Sequence, residues 1–181
     1  AARRERRRAA RPAKNGDADR RPTGVRLQPP RPRVRRWFVA VSVAVLCGPG
    51  GATPLAPCRQ RLSTDGRLRY LGGGTPILPG LAERAGALAA AAVEALPQCS
   101  GYVGVDLVLG DHPDGRGDRV IEVNPRLTTS YVGLRVAAER SLAGAMIDAA
   151  DGKPVRVPFS GRPIAFDADG SAAYHDDHPV N

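Results

Sequence analysis

Aromatic residues are scarce in this chain: one Trp, four Tyr and three Phe, 4% of 181 residues. Proteins that hold single-stranded nucleic acid stack its bases on exposed rings, so that class is set aside. Cysteine is scarce too. Cys47, Cys58 and Cys99 form no CxxC or CxxH pair, which excludes the common zinc spacings, and their odd number and scatter fit a reducing compartment. The most apolar run, Trp37–Cys47, has eleven residues, where a bilayer needs about twenty. No membrane-spanning segment is expected, and the cytoplasm is the expected location.

Positive charge is plentiful, but in one place only. The net charge is +9, yet residues 1–36 hold 13 Arg and Lys14 against Glu5, Asp17 and Asp19, a net of +11 that leaves −2 for the rest. The basicity therefore says nothing about the folded part, and no nucleic-acid partner is required. Residues 1–36 are rich in Arg, Pro and Ala, with too few apolar groups to offset their ordering entropy. They are expected to be a disordered tail, with a polybasic arm for nucleic acid or anionic lipid as the functional alternative. One folded domain is expected over 37–170, followed by a frayed tail at 171–181 that carries His175 and His178.

Within the domain, the Val content of 37–47 suits a buried strand. Preceded by Arg33, Arg35 and Arg36, the same run imitates a secretory signal, which would make this a secreted basic protein; about 36 residues before it is long for an n-region. The strand is preferred. Residues 48–66 are loop-rich, and Arg67–Leu71 predicts a short strand ending at Gly72-Gly73-Gly74. No Gly-Lys-Ser/Thr follows, so this is no Walker loop, and a flexible turn is expected. Leu81–Leu96 is Ala-rich, with Leu81, Leu88, Val93 and Leu96 as an apolar stripe, and predicts a helix ended by Pro97. A hairpin over 101–110 and 119–124 follows, then a second helix over about 131–150 stopped by Gly152, and a last strand over 162–167. This order predicts an α+β fold, a mostly antiparallel sheet with helices on one side.

Acidic residues sit where the hairpin strands are otherwise apolar. Asp106 lies among Val103, Val105, Leu107 and Val108, and Glu122 among Val120, Ile121 and Val123. Such carboxylates are either solvent-facing or paired with a cation. Glu122 and Asn124, two apart, share a face, and a hairpin brings Asp106 beside them. Two carboxylates and an amide oxygen form a hard-oxygen set suited to Mg2+. Gln60 and Arg59 are candidates to face a nucleotide, but the sequence does not place them.

Gly104-Val105-Asp106, the hairpin, and then Glu122-Val123-Asn124-Pro125-Arg126 resemble the C-terminal portion of the ATP-grasp superfamily. The longer run through Leu127-Thr128-Thr129-Ser130-Tyr131-Val132-Gly133-Leu134 is similar to the tyramine–glutamate ligase-like carboxylate–amine ligases. The likeness spans about 38–168. It implies an enzyme that uses ATP to turn a small carboxylate into an acyl phosphate, which an amine then attacks. It further implies Asp106, Glu122 and Asn124 as ligands of two Mg2+ ions (Mn2+ is an alternative), with Glu122 bridging, and Arg126 as the catalytic group beside the transferring phosphoryl. Thr128, Thr129 and Ser130 either bind an anionic substrate or cap the following helix. The family's phosphate-gripping lysine has no counterpart: Lys14 and Lys153 are the only lysines. The expectation is a truncated ligase, weakly active or inactive alone, with a non-catalytic binding module as the alternative.

Overall fold

The structure is a computed structural model that describes residues 38–175. The basic stretch 1–36, Trp37 and residues 176–181, including His178, lie outside them. In chain order the elements are β1 (Val39–Gly48), β2 (Gly51–Pro54), β3 (Cys58–Leu62), β4 (Tyr70–Thr75), α1 (Pro79–Glu94), β5 (Gly101–Leu109), β6 (Arg119–Asn124), α2 (Ser130–Ala137), α3 (Leu142–Ala150), β7 (Ile164–Asp167) and β8 (Ala172–Tyr174). The strands form one eight-stranded sheet in the order β6-β5-β1-β3-β4-β7-β8, with β2 also pairing β1. Every pairing of named strands is antiparallel. The expected α+β, mostly antiparallel architecture is what the chain adopts.

The helices, however, cover both faces rather than one. Val41, Val43 and Val45 of β1 pack with Val103, Val105 and Leu107 of β5 under Ala85, Ala89 and Val93 of α1. The alternate residues Ala44 and Leu46 pack with Tyr102 under Leu134 of α2 and Leu142, Ala145 and Ala149 of α3. The reason is written in β1, where Val41–Cys47 is buried without interruption. A strand apolar at both parities must be covered on both sides. Each buried Val or Leu contributes about 1.5–3 kcal/mol, so this strand anchors both halves of the core.

Several local expectations are corrected. The passage 48–66 contains β2 and β3; the alternation Cys58-Arg59-Gln60-Arg61-Leu62 is a short strand with few apolar residues. The strand expected at 67–71 lies at 70–75, and the triple glycine is inside it, with Gly72, Gly73 and Gly74 buried. A Cβ on Gly73 would stand 2.6 Å from the Arg59 carbonyl oxygen and 2.6 Å from Phe166 Cζ. These glycines permit close approach of β3 and β7 rather than a turn. Helix α1 ends at Glu94, leaving Leu96 exposed, because the residue before Pro97 is pushed out of the α region.

The helix expected over 131–150 is broken in two. Ala138 is extended, Glu139 N donates to Pro158 O (3.0 Å), and Ser160 N donates to Ala137 O (2.9 Å). Ser141 then restarts the helix as an N-cap that accepts from Gly144 N at 3.1 Å. Gly152, at φ 73°, follows the end of α3 as anticipated. Beyond residue 170, Ala172–Tyr174 pairs with β7 as β8 instead of fraying.

The hairpin β5–β6 carries a bulge: Asp106 faces Glu122 but Leu107 faces Val120, so Ile121 is the extra residue. Its loop is pinned to α1 by a half-buried ion pair. Arg84 Nε donates to Asp118 Oδ2 (2.9 Å), Arg84 Nη2 bonds Asp118 Oδ1 and also Gly110 O (3.0 Å), and Gly110 N donates to Asp118 Oδ1 (2.9 Å). Asp118, 8% exposed at its side chain, is thus engaged inward. Asp118→Ala strands Arg84 and the Gly110 N–H, and is expected to lower stability by about 2–3 kcal/mol. Urea denaturation measures this; a change within error would show that the pair carries nothing.

Candidate active site

Antiparallel register brings the acidic residues of distant strands together. Asp106 of β5 faces Ser42 of β1 on one side and Glu122 of β6 on the other, and Asn124 faces Gly104 one step along. Directly opposed residues share a face, so Ser42, Asp106, Glu122 and Asn124 all point to the side covered by α2. Gln60 of β3 reaches over β1 and donates from Nε2 to Asp106 Oδ1 at 2.8 Å. Arg59, its neighbour, points to the other face. Gly104 makes room for the next turn, since a Cβ there would lie 2.3 Å from Thr128 Cγ2.

Beyond β6 the chain turns tightly, with Arg126 N donating to Asn124 O at 2.7 Å. This turn aims Arg126 back toward the strand it has just left, where Nη2 donates to Asn124 Oδ1 at 3.2 Å. The three hydroxyls that follow do not cap α2. Thr129 is at the N-cap position without a side-chain cap bond. Thr128 Oγ1 and Ser130 Oγ instead lie 2.9 Å apart, and both approach the Tyr102 hydroxyl, at 3.3 and 3.4 Å. The Thr129 hydroxyl hydrogen-bonds with that of Tyr70.

Seven residues singled out from the sequence, Asp106, Glu122, Asn124, Arg126, Thr128, Thr129 and Ser130, line one pocket of about 270 Å³, as does the nucleotide-facing candidate Gln60 but not Arg59. Three more join them: Ser42, Leu62 and Tyr70. Ser42, Leu62 and Tyr70 come from strands far away in sequence, and only the sheet order reveals them. The volume falls near the low end for ligand pockets, room for a phosphate group and small ions.

The electrostatics are those of a site short of positive charge. Burial pushes the Asp106 carboxyl above its ordinary range, and the charge of Glu122 adds to this; hydrogen bonds from Ser42 and Gln60 and the Arg126 charge offset only part. Because the folded protein holds this proton more tightly than the unfolded chain, Asp106 adds stability below the unfolded carboxylate range. That contribution is lost as pH rises through the folded value. Burial pushes the Tyr70 phenol up to about 12, and the Asp106 charge adds to this. It is a neutral hydrogen-bonding group at neutral pH, and not a base.

The donor set decides which ion fits. Among the described residues no three His, Cys, Asp or Glu side chains converge, so a closed zinc site is not formed. Two adjacent carboxylates with an amide oxygen suit a hard cation that completes its shell with substrate phosphates. A cation here would also relieve the raised Asp106.

The ATP-grasp domain profile matches residues 39–130, half of the chain. Tyramine–L-glutamate ligase of Methanocaldococcus jannaschii is 31% identical over 114 residues, which are 63% of this chain and 34% of that protein. This chain therefore spans about a third of the length of the curated relative it matches. Among solved structures, an ATP-grasp superfamily protein from Archaeoglobus fulgidus is 29% identical with a TM-score of 0.54, covering 70% of this chain and 38% of its own. N5-carboxyaminoimidazole synthase from Aspergillus clavatus, in complex with ADP and 5-aminoimidazole ribonucleotide, is 16% identical with a TM-score of 0.58 and likewise covers 70% and 34%. The last is a likeness of fold.

Proposed function

The chain belongs to the ATP-grasp family, and on that premise we propose that it forms the cation-binding part of an ATP-dependent carboxylate–amine ligase of the cytoplasm. The observation that carries this reading is the direct opposition of Asp106 and Glu122 on a pocket wall, with Asn124 and Arg126 on the same wall. The reaction is the attack of a substrate carboxylate oxygen on the terminal phosphorus of ATP, releasing ADP. An amine then attacks the acyl phosphate carbon and phosphate leaves.

Asp106, Glu122 and Asn124 would hold two Mg2+ ions, or Mn2+. Such ions, when bound, offset the charge that builds on the phosphate oxygens. Gln60 and Ser42 fix the Asp106 carboxylate by hydrogen bonds, so its oxygens need not reorient on binding. Arg126 presents a planar donor fork to the phosphoryl or acyl phosphate oxygens, held in place by Asn124 Oδ1. The hydroxyls of Thr128, Thr129 and Ser130 and the Tyr70 phenol line the same wall and offer donors to an anionic substrate. The likeness to tyramine–L-glutamate ligase supports an amino-acid carboxylate and a primary amine as the substrate classes.

The nucleotide grip is weak in this stretch. Lys153, the one lysine among the described residues, is tied to Asp151 (2.9 Å) and Asp148 (3.5 Å), outside the pocket. These 181 residues by themselves are therefore expected to turn over ATP slowly or not at all. That same observation favours a second reading, a cation-binding module without turnover.

The test is Mg2+-dependent ADP release with a panel of carboxylates and amines, on the 181 residues and on the protein as its natural reading frame encodes it. Ligation predicts release in the natural protein that needs both substrates and little in the 181 residues. Mg2+ binding without ADP release from either, under any substrate pair, would leave the module.

A further inference from the structure

At the far end of β1 from this pocket, two cysteines that sequence spacing leaves unrelated come together. Cys47, next to last in β1, is 2% exposed, and its register partner is Gly101. Cys99 lies two residues before that glycine, in the connection from α1 to β5, and is partly exposed. Both line a second pocket of about 140 Å³ together with Val93, Glu94 and Gly51; the Cys47 thiol lies 3.8 Å from Val45 O, and Cys99 is near enough to add to the rise in its proton affinity. Neither has a part in the proposed ligase chemistry. The third cysteine, Cys58, is in β3, 1% exposed, with its thiol near Ala56 O at 3.8 Å.

We propose that Cys47 and Cys99 are a redox-active dithiol that a small peroxide converts into an intrachain disulfide. Exposure orders the steps. Cys99 meets the oxidant: its thiolate attacks one peroxide oxygen, the O–O bond breaks, and a sulfenic acid and one water form. The Cys47 sulfur then attacks the Cys99 sulfur; the S–S bond forms, the S–O bond breaks, and a second water leaves with the thiol proton. Two thiols lose two electrons in all, and one hydrogen peroxide becomes two waters. Burial pushes the Cys47 thiol up to about 12, so Cys47 does not act as the first nucleophile, and its slow closing step lets the sulfenic acid be caught. The bond would tie the end of β1 to the α1–β5 connection.

The experiment treats the full chain with hydrogen peroxide, alkylates the remaining thiols after denaturation, and maps peptides by mass. Expected are a mass lower by two hydrogen atoms, a peptide pair linked through Cys47 and Cys99, and alkylation at Cys58 alone. Thermal melting of the oxidised form should rise by several degrees, as a long closed loop implies. Cys99→Ser should abolish the linked pair. Cys47→Ser should leave a Cys99 sulfenic acid that dimedone captures, and because Cys99→Ser alters a partly exposed site, it remains informative should the core variant fail to fold. A disulfide through Cys58, links only between separate chains, or both thiols alkylated after peroxide would overturn the proposal.

Discussion

A chain carrying Glu122→Gln is expected to bind Mg2+ at least about a hundredfold more weakly than the native sequence, a loss of about 2.7 kcal/mol. The substitution keeps shape and removes one of the two charges that face each other across β5 and β6. Glu122 is exposed, so the fold should survive, and thermal melting checks that it has. Asp106→Asn should weaken binding comparably, and it supplies a second signature. In the native chain the cation competes with a proton on a carboxyl whose affinity for protons is raised by burial. Binding should therefore fail, as pH is lowered, sooner than for an ordinary carboxylate pair. In Asp106→Asn that component of the pH profile should vanish. Calorimetric titration of Mg2+ at several pH values reads both effects. Native affinity in either variant would remove these residues from the cation site.

Gly73→Ala is expected to destabilise the domain by about 3 kcal/mol, which lowers the melting temperature by roughly 10 °C. The added Cβ would meet a backbone oxygen of β3 and the Phe166 ring of β7 at once, both at 2.6 Å. The backbone oxygen is held by the sheet and cannot yield without disturbing the β3–β4 ladder. Gly73 has no positive φ, so the cost is steric alone. Gly80→Ala is the control: nothing lies within 4 Å of its Cβ, and alanine in helix α1 should be neutral or mildly stabilising. If the two variants melt alike, the triple glycine is as slack as its composition suggests, and the buried strand is wrong.

That contrast shows where reading the sequence works and where it stops. Asp106, Glu122 and Asn124 were legible because their grouping depends on local rules alone, the alternation of a strand and the closure of one hairpin. Gly72-Gly73-Gly74 misleads because local rules describe only what glycine permits. Whether it is a turn or a close approach depends on Phe166, about ninety residues away. The break between α2 and α3 has the same origin, since residues 158–160 take the hydrogen bonds that a continuous helix would use. Ser42 and Tyr70 enter the pocket only through the order in which β1, β3 and β4 lie side by side. The unbroken apolar run of β1 does announce cover on both faces, and with it helices on both sides of the sheet.

The extra residue in β6 determines where this hairpin can change length. Ile121 stands outside the ladder, with Asp106–Glu122 in step on one side of it and Leu107–Val120 in step on the other. Deleting Ile121 leaves both pairings intact and merely straightens the strand. Deleting Val123 moves Asn124 by one position and turns its amide to the opposite face. Mg2+ titration should separate the two deletions, with binding kept in the first and lost in the second; equal loss would mean that the bend itself shapes the site. Among descendants of this sequence, gaps would then gather at residue 121 and in the loop 110–118, while the stretch from Glu122 to Arg126 keeps its length whatever substitutions it accepts.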